Sequence, residues 1–155
     1  MRLSLRFILP LLIALALIAY GVLPLVDRLT LQWFERDLDS RSALVANTMQ
    51  EPLVDLVRTG SKSKTIAYFN RITQDERLFA IGYCDASHAT LFATKTLPRE
   101  LVCEDLTQFA GGPPRLLSSA KGPLHVSTRA VMADADLLGY LVLVHDMSFV
   151  QRRSD

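Results

Sequence analysis

The sequence predicts an α+β domain in which helices pack on one antiparallel sheet, held outside a membrane by an N-terminal anchor. Three observations lead to this prediction. Residues 7–26 form an uncharged apolar run, the residues after them repeat at helical spacing, and two later segments alternate apolar and polar positions as strands do. The order of long helix, short helix, hairpin, irregular crossover and hairpin is typical of helices gathered against an antiparallel sheet.

The apolar run has the length of a transmembrane helix. About 20 residues at ~1.5 Å rise cross the ~30 Å hydrocarbon core of a bilayer. Arg2 and Arg6 lie on its short N-terminal flank, so residues 1–6 are expected in the cytoplasm and the rest of the chain outside it. This topology predicts a membrane-anchored chain with an exported domain.

A cleaved secretory signal is the alternative interpretation of the same run. Ala19, Tyr20 and Gly21 would then form the small-x-small cleavage site. The run continues through Val22 to Val26 instead of turning polar after that site, and this favours the retained anchor.

Residues 27–62 are predicted to form a stalk helix that leaves the membrane. Apolar side chains recur near the 3.5-residue spacing that allows parallel helices to pair, so we expect a homodimer through this stalk. Pro52 is expected to kink the helix and Gly60 to end it. The residues of the expected dimer seam are Leu31, Phe34, Leu38 and Val45, with Met49 continuing the stripe. Part of this stripe is expected to cover the domain's own sheet, so we expect pairing mainly over residues 31–45.

Residues 63–150 are predicted to form the globular extracytoplasmic domain. It begins with a second helix over residues 63–74, after which the period of the apolar residues changes from 3.6 to 2. The predicted hairpins have strands at residues 78–84 and 90–96, and at residues 123–132 and 137–145, with a loop of low order over residues 98–120 between them. A short helix is expected at residues 147–150, and residues 151–155 are expected to start a linker to a second membrane helix.

The composition excludes some classes of function and suggests one covalent link. A formal net charge of +1 gives no electrostatic footprint for nucleic acid. Cys84 and Cys103 are the two cysteines, both on the exported side, where they are expected to form a disulfide. Two buried free thiols are the alternative.

No catalytic or metal-binding motif is recognisable in the sequence. The three histidines, His88, His125 and His145, lack the spacing of a zinc site, and no serine lies in a nucleophile-elbow pattern. We therefore expect no enzymatic activity, no cofactor and no metal. A small-molecule pocket lined by Tyr83, His125, Arg129 and Tyr140 is the candidate site, and a solvated arginine on an open sheet face is the alternative.

Four segments of the chain are distinctive as strings: MRLSLRFILPLLIALALIAYGVLPLVDRLTLQWFERDLDSR, QDERLFAIGYCD, GPLHVSTRAV and LGYLVLVHDMSFVQRRSD. They resemble the N-terminal membrane and periplasmic region of proteobacterial trehalose-6-phosphate synthases with a HAMP linker. The resemblance implies a bacterial inner-membrane protein with a periplasmic domain, and a tethering and regulatory region of a membrane-bound glycosyltransferase, none of whose catalytic residues lie in this chain. More loosely, the layout is similar to PAS-like or Cache-like input domains of bacterial sensor kinases and chemoreceptors.

Taken together, these features predict a non-catalytic sensor domain that relays a periplasmic cue through its membrane helix. The synthase region is the first alternative. A tethered interaction module without a signalling role is the second.

Overall fold

A computed structural model describes residues 2–76, 78–119 and 122–148, without the side chains of residues 2–7, 23, 24, 27 and 31. The architecture is α+β, as the sequence predicts. The elements in chain order are α1 (Arg2–Thr59), α2 (Lys62–Asp75), β1 (Ala80–Asp85), β2 (Thr90–Ala93), α3 (Cys103–Thr107), β3 (Arg115–Ser119), β4 (Gly122–Ala133) and β5 (Asp136–Asp146).

The chain divides into two compact units, Met1–Asp37 and Leu38–Asp155. The first unit is the N-terminal part of helix α1. Across the residues whose side chains the structure describes, no helix is long and apolar enough to cross a bilayer. Phe7, Leu23 and Pro24 of the predicted span lie outside that description, as do the side chain of Leu31 and the predicted linker at 151–155.

The second unit is built on a five-stranded antiparallel sheet with the strand order β2-β1-β5-β4-β3. Both predicted hairpins are confirmed, since β1 pairs with β2 and β4 pairs with β5. The long strands β4 and β5 pair from Leu124 opposite Asp146 to Ala133 opposite Asp136, and Asp134 takes a positive φ of 55° at the turn.

The segment predicted as a loop over residues 98–120 contains two regular elements. Helix α3 is a short helix of five residues, and β3 is an additional strand on the edge of β4. Strand β3 has the sequence RLLSS, which shows no period-two alternation of apolar and polar residues. Its strand conformation is stabilised by pairing with the longer β4, and the local sequence of β3 does not predict that pairing.

Side chains on the two faces of the sheet belong to two separate apolar cores. On one face, Ile81 and Leu143 pack with Met49 and Leu53 of α1 and with Phe69 of α2. The opposite face carries another set of side chains from the same strands, which pack with α3. The buried members of that second core are Ala80, Cys84, Cys103, Leu106, Leu124, Val126, Val142 and Val144. Successive strand residues point to opposite faces, and both faces of this sheet are covered by an apolar core. The strands are therefore apolar at consecutive positions.

Residues 38–59 of α1 therefore belong to the globular unit. Gly60, with a φ of +66°, follows the last helical residue, and Pro52 lies within the helix. Val45 is 7% exposed and Met49 is 1% exposed in the core against the sheet, and Leu38 is also buried. These three residues of the expected dimer stripe are thus unavailable to a second copy while the domain core is intact.

Substitutions at Leu53 and Leu44 of α1 test whether the helix is part of the core. Leu53 is fully buried and Leu44 is 69% exposed, so the two leucines give a matched pair in one helix. We expect Leu53→Ala to lower the free energy of unfolding by about 2–5 kcal/mol, because the truncation leaves a cavity. Leu44→Ala should change it by less than about 0.5 kcal/mol. Urea unfolding followed by near-ultraviolet circular dichroism measures both, and equal losses would contradict this assignment.

Candidate functional site

The apolar core on the α1 side of the sheet gives way to a polar cluster on β4 and β5. His125 of β4 lies directly opposite His145 of β5, and Arg129 follows His125 on the same face of β4. Val131, two residues beyond Arg129, packs with Met49 and Leu53 in the helix-side core. The polar cluster therefore continues the row of side chains that holds α1 on the sheet.

An ion pair joins α1 to the sheet within this cluster. Arg129 Nη2 donates a hydrogen bond of 2.6 Å to Asp39 Oδ1. The two side chains are 27% and 36% exposed, so the pair is only partly shielded from water. A charge-assisted hydrogen bond of this length restrains geometry well, although partial exposure limits its contribution to stability.

The two histidines are buried as neutral imidazoles. Their ring centroids lie 5.8 Å apart in an edge-to-face arrangement, and His125 is 0% exposed while His145 is 8% exposed. Burial lowers the pKa of His125, and the charge of Asp39 partly opposes that shift. Burial, His125 and Arg41 together lower the pKa of His145 to about 4. Removal from water disfavours the charged imidazolium, so both rings stay unprotonated at neutral pH.

Several buried polar atoms on α1, β4 and β5 lack a hydrogen-bond partner among the described residues. Most buried polar groups in folded proteins are paired, so each exception requires a physical explanation. The set consists of Ser42 Oγ, both ring nitrogens of His125, Nδ1 of His145 and Nε of Arg129.

A cavity of about 250 Å³ lies next to the polar cluster, between α1 and strands β4 and β5. Arg129 is the charged residue of its wall, with Asn47 and Gln50 as amide groups, and a cavity of this size suits only a small molecule. A second, wider groove of about 410 Å³ follows α1 toward the exposed pair of Arg58 and Asp134. The cavity is lined by Ala43, Ala46, Asn47, Gln50, Arg129, Ala130, Val131 and Leu141.

The four residues predicted to share a ligand pocket are not all together. His125 and Arg129 share one face of β4. Tyr83 lies in the apolar core of that face, and its hydroxyl donates a 2.9 Å hydrogen bond to the carbonyl oxygen of Leu138. Tyr140 is on the opposite face, where its ring centroid is 5.9 Å from that of His88. The grouping of Tyr140 with the other three is therefore corrected, because neighbouring positions along a strand point to opposite sides of the sheet.

Sequence reasoning missed Asp39, Ser42 and His145 as members of the cluster. Ser42 did carry a signal, because it stands four residues after Leu38, where a continuous apolar stripe would place another apolar side chain. Asp39 and His145 carried none, since their proximity depends on how α1 crosses the strands. Among the residues that the structure describes, no group of three or more His, Cys, Asp or Glu side chains is arranged to hold a metal ion.

The opposite face of the sheet is closed by a covalent link. Cys84 of β1 and Cys103 at the start of α3 form a disulfide with a Cα–Cα distance of 5.8 Å. Nearby, Thr107 Oγ1 of α3 lies 2.6 Å from Nδ1 of His88. Asp85 accepts hydrogen bonds from the Ser87 hydroxyl and the Ala89 amide, and these bonds lower the pKa of its carboxyl group. The segment between β2 and β3, which contains α3, is thus attached to the β1–β2 hairpin by the disulfide and by the contact between Thr107 and His88.

Comparison with known proteins places this fold among sensor domains. No family model matches the chain, and no curated protein matches it. The sensor domain of DcuS from Escherichia coli superposes with a TM-score of 0.58 at 14% identity, covering 78% of this chain and 98% of that one. The sensor domain of the histidine kinase DctB from Vibrio cholerae gives a TM-score of 0.52 at 14% identity, covering 78% of this chain and 59% of that one.

A third similar structure is the periplasmic domain of LuxQ from Vibrio cholerae, with a TM-score of 0.51 at 11% identity over 69% of this chain and 58% of that one. The chain thus spans just under three fifths of the two Vibrio structures and nearly all of the DcuS domain. At these identities the likeness shows the fold. The protein shares its α+β fold with these sensor domains.

Substitution of Cys103 tests the contribution of the disulfide. The bridge closes a loop with a sequence separation of 19 residues. We expect Cys103→Ser to lower the free energy of unfolding by about 3 kcal/mol, the cost that the loop-entropy model assigns to such a loop. Reduction should destabilise the wild-type protein to a similar degree and leave the variant unchanged. Two alkylatable thiols in unreduced, exported protein, detected by mass spectrometry, would rule the bridge out.

Proposed function

We propose that this chain is the extracytoplasmic input module of a bacterial membrane signalling protein and carries no catalytic activity of its own. The observation that carries the proposal is that α1 is one continuous helix from Arg2 to Thr59. One helix contains both the apolar run at residues 7–26 and the side chains of Met49 and Leu53 that fill the domain core. A change in the sheet that displaces these side chains would displace the helix that leads to the membrane.

The likeness to sensor domains supports this role. The LuxQ structure is that of a periplasmic domain, and the DctB structure is that of the sensor domain of a histidine kinase. For this chain, the arginines at positions 2 and 6 support a cytoplasmic N-terminus and an exported domain, with the lipid bilayer as partner. The proposed organisation has a cytoplasmic tail (residues 1–6), a transmembrane helix (7–26) and a globular unit that starts within the stalk helix.

The proposed ligand site is the cavity beside the α1–sheet ion pair. A small molecule bound there would contact Arg129 from β4 and Asn47 or Gln50 from α1, so its occupancy would be felt by the helix directly. Gln50 Nε2 already donates a 3.3 Å hydrogen bond to the carbonyl oxygen of Met132, which ties this turn of α1 to the end of β4. Tyr83 and Tyr140 are not included in this proposed site.

The proposed partner is a second copy of the chain, paired through α1. Because Leu38, Val45 and Met49 face the domain core, the pairing surface in the globular unit must lie on the opposite side of the helix. Leu44 is the large apolar side chain exposed there, at 69%. This revises the seam expected from sequence periodicity.

The resemblance to trehalose-6-phosphate synthases favours a second candidate, in which the same module tethers and regulates a glycosyltransferase. The two candidates share the fold and topology and differ in the output domain. A tethered interaction module without signalling would show no change in helix pairing under any condition.

The topology of the chain tests the main proposal. We expect fusions after Ser40 and after Asp146 to be active with alkaline phosphatase and inactive with a reporter that requires the cytoplasm. Replacing both flanking arginines, Arg2→Glu with Arg6→Glu, should weaken this preference because the positive-inside signal is removed. Active cytoplasmic reporters at both positions, or a mature N-terminus near Val22, would contradict the anchored, exported arrangement.

Single cysteines in adjacent positions of α1 test the pairing surface. Leu44→Cys should crosslink between copies in membranes, whereas Val45→Cys should not, because Val45 is 7% exposed in its own core. The native cysteines are joined to each other and do not interfere. Strong crosslinking at position 45 with none at 44 would restore the original seam, and no crosslinking at either position would indicate a monomeric stalk.

A further inference from the structure

We infer that the buried His125–His145 pair is an acid-responsive latch between α1 and the sheet, which loosens the helix when the two imidazoles become protonated. The inference rests on the proposed function, because an exported domain is the part of the protein that meets external acid. It goes further by naming the proton as a signal that this interface detects.

The geometry favours the proton over a larger ligand. Neither of the two cavities beside α1 is lined by a histidine. The described residues also form no cluster of three or more metal-ligating side chains around the pair. Both nitrogens of His125 and Nδ1 of His145 are nonetheless buried, and residues 2–76, 78–119 and 122–148 supply no hydrogen-bond partner for them. A proton needs no cavity, and imidazole is the side chain whose charge changes at mildly acidic pH.

The charges around the pair determine the direction of the response. On α1, Asp39 is the charge that acts on His125, and Arg41 is the charge that acts on His145. The residue paired with His125 on β3 is Leu116, which carries no charge. Asp39 already binds Arg129. Protonation of both histidines would place two positive charges on buried rings whose centroids are 5.8 Å apart, and the two charges would repel each other.

Such an excess of charge is relieved when the histidines reach water. Because α1 is the element that covers them, moving α1 away from β4 and β5 allows them to be solvated. Ser42 on α1 is fully buried, and its hydroxyl group has no hydrogen-bond partner in the part of the chain that the structure describes, so it would gain hydrogen bonds with water in the same movement. The open state thus satisfies several groups that the closed state leaves unpaired.

The pH range follows from the lowered histidine pKa values. In the closed state the pKa of His145 is about 4 and that of His125 is also lowered, whereas an exposed histidine has a pKa of about 6.5. At pH values between the lowered pKa of a closed-state histidine and the exposed value of about 6.5, the open state binds more protons than the closed state, so the population of the open state grows as pH falls. The ratio of open to closed molecules rises at most about tenfold per pH unit for each histidine, and it does not change with pH above about 6.5.

A direct test is the titration of the histidine ring protons by NMR in the full chain in detergent micelles. The chain has three histidines, and His88→Asn, His125→Phe and His145→Phe variants assign their signals. We expect the signals of His125 and His145 to titrate below about pH 6.5. Titration of both at or above that value would overturn the inference.

Hydrogen exchange then tests whether acid releases the helix. Between pH 7 and pH 5, after correction for the intrinsic pH dependence of exchange, protection over residues 38–53 should fall at least about tenfold while β1 remains protected. The double variant His125→Phe with His145→Phe should lose this pH dependence, and His88→Asn should retain it. If the double variant does not fold, His145→Phe alone should show a reduced dependence.

The same pH dependence in the wild type and the phenylalanine variants would overturn the latch. So would a uniform loss of protection in α1 and β1, which would indicate general acid unfolding. These outcomes are separate from the topology experiment. A cytoplasmic domain would refute the proposed function while leaving the acid response measurable, and an exported domain without acid response would refute only the latch.

Discussion

The structure depends on the burial of one side of α1 against the sheet. Met49 and Leu53 are 1% and 0% exposed, and they pack with strand residues that come from the far end of the chain. Each buried leucine or methionine contributes about 2–3 kcal/mol through removal of apolar surface from water. Without α1, the helix-side face of β4 and β5 would be open to solvent, so this helix is a structural component of the domain.

Both faces of the sheet are covered, and the two covers differ in kind. The crossover segment is fastened by the disulfide between Cys84 and Cys103, together with the contact between Thr107 and His88. Helix α1 is held by apolar packing, one partly exposed ion pair, and polar groups that are incompletely hydrogen-bonded. The helix side is therefore the face on which a small chemical change has the larger effect on packing.

The polar cluster violates the ordinary rules of core construction. A buried histidine whose two ring nitrogens have no hydrogen-bond partner among the described residues costs stability, and an apolar residue at position 125 would pack there without that cost. Departures of this kind concentrate at functional sites.

The sequence alone determined the α+β class, both hairpins, the end of α1 at Gly60 and the pairing partners available to the cysteines. These features depend on period, turn chemistry and residue type, all of which are local. Strand β3 and the membership of the polar cluster were decided by tertiary structure. RLLSS becomes a strand because β4 offers an edge, and Asp39 meets Arg129 because α1 packs on the sheet. An apolar stripe at helical spacing serves a core or a second helix equally well, so the sequence predicted that part of the α1 stripe covers the sheet, and only the tertiary structure decided that Leu38 and Val45 belong to that part.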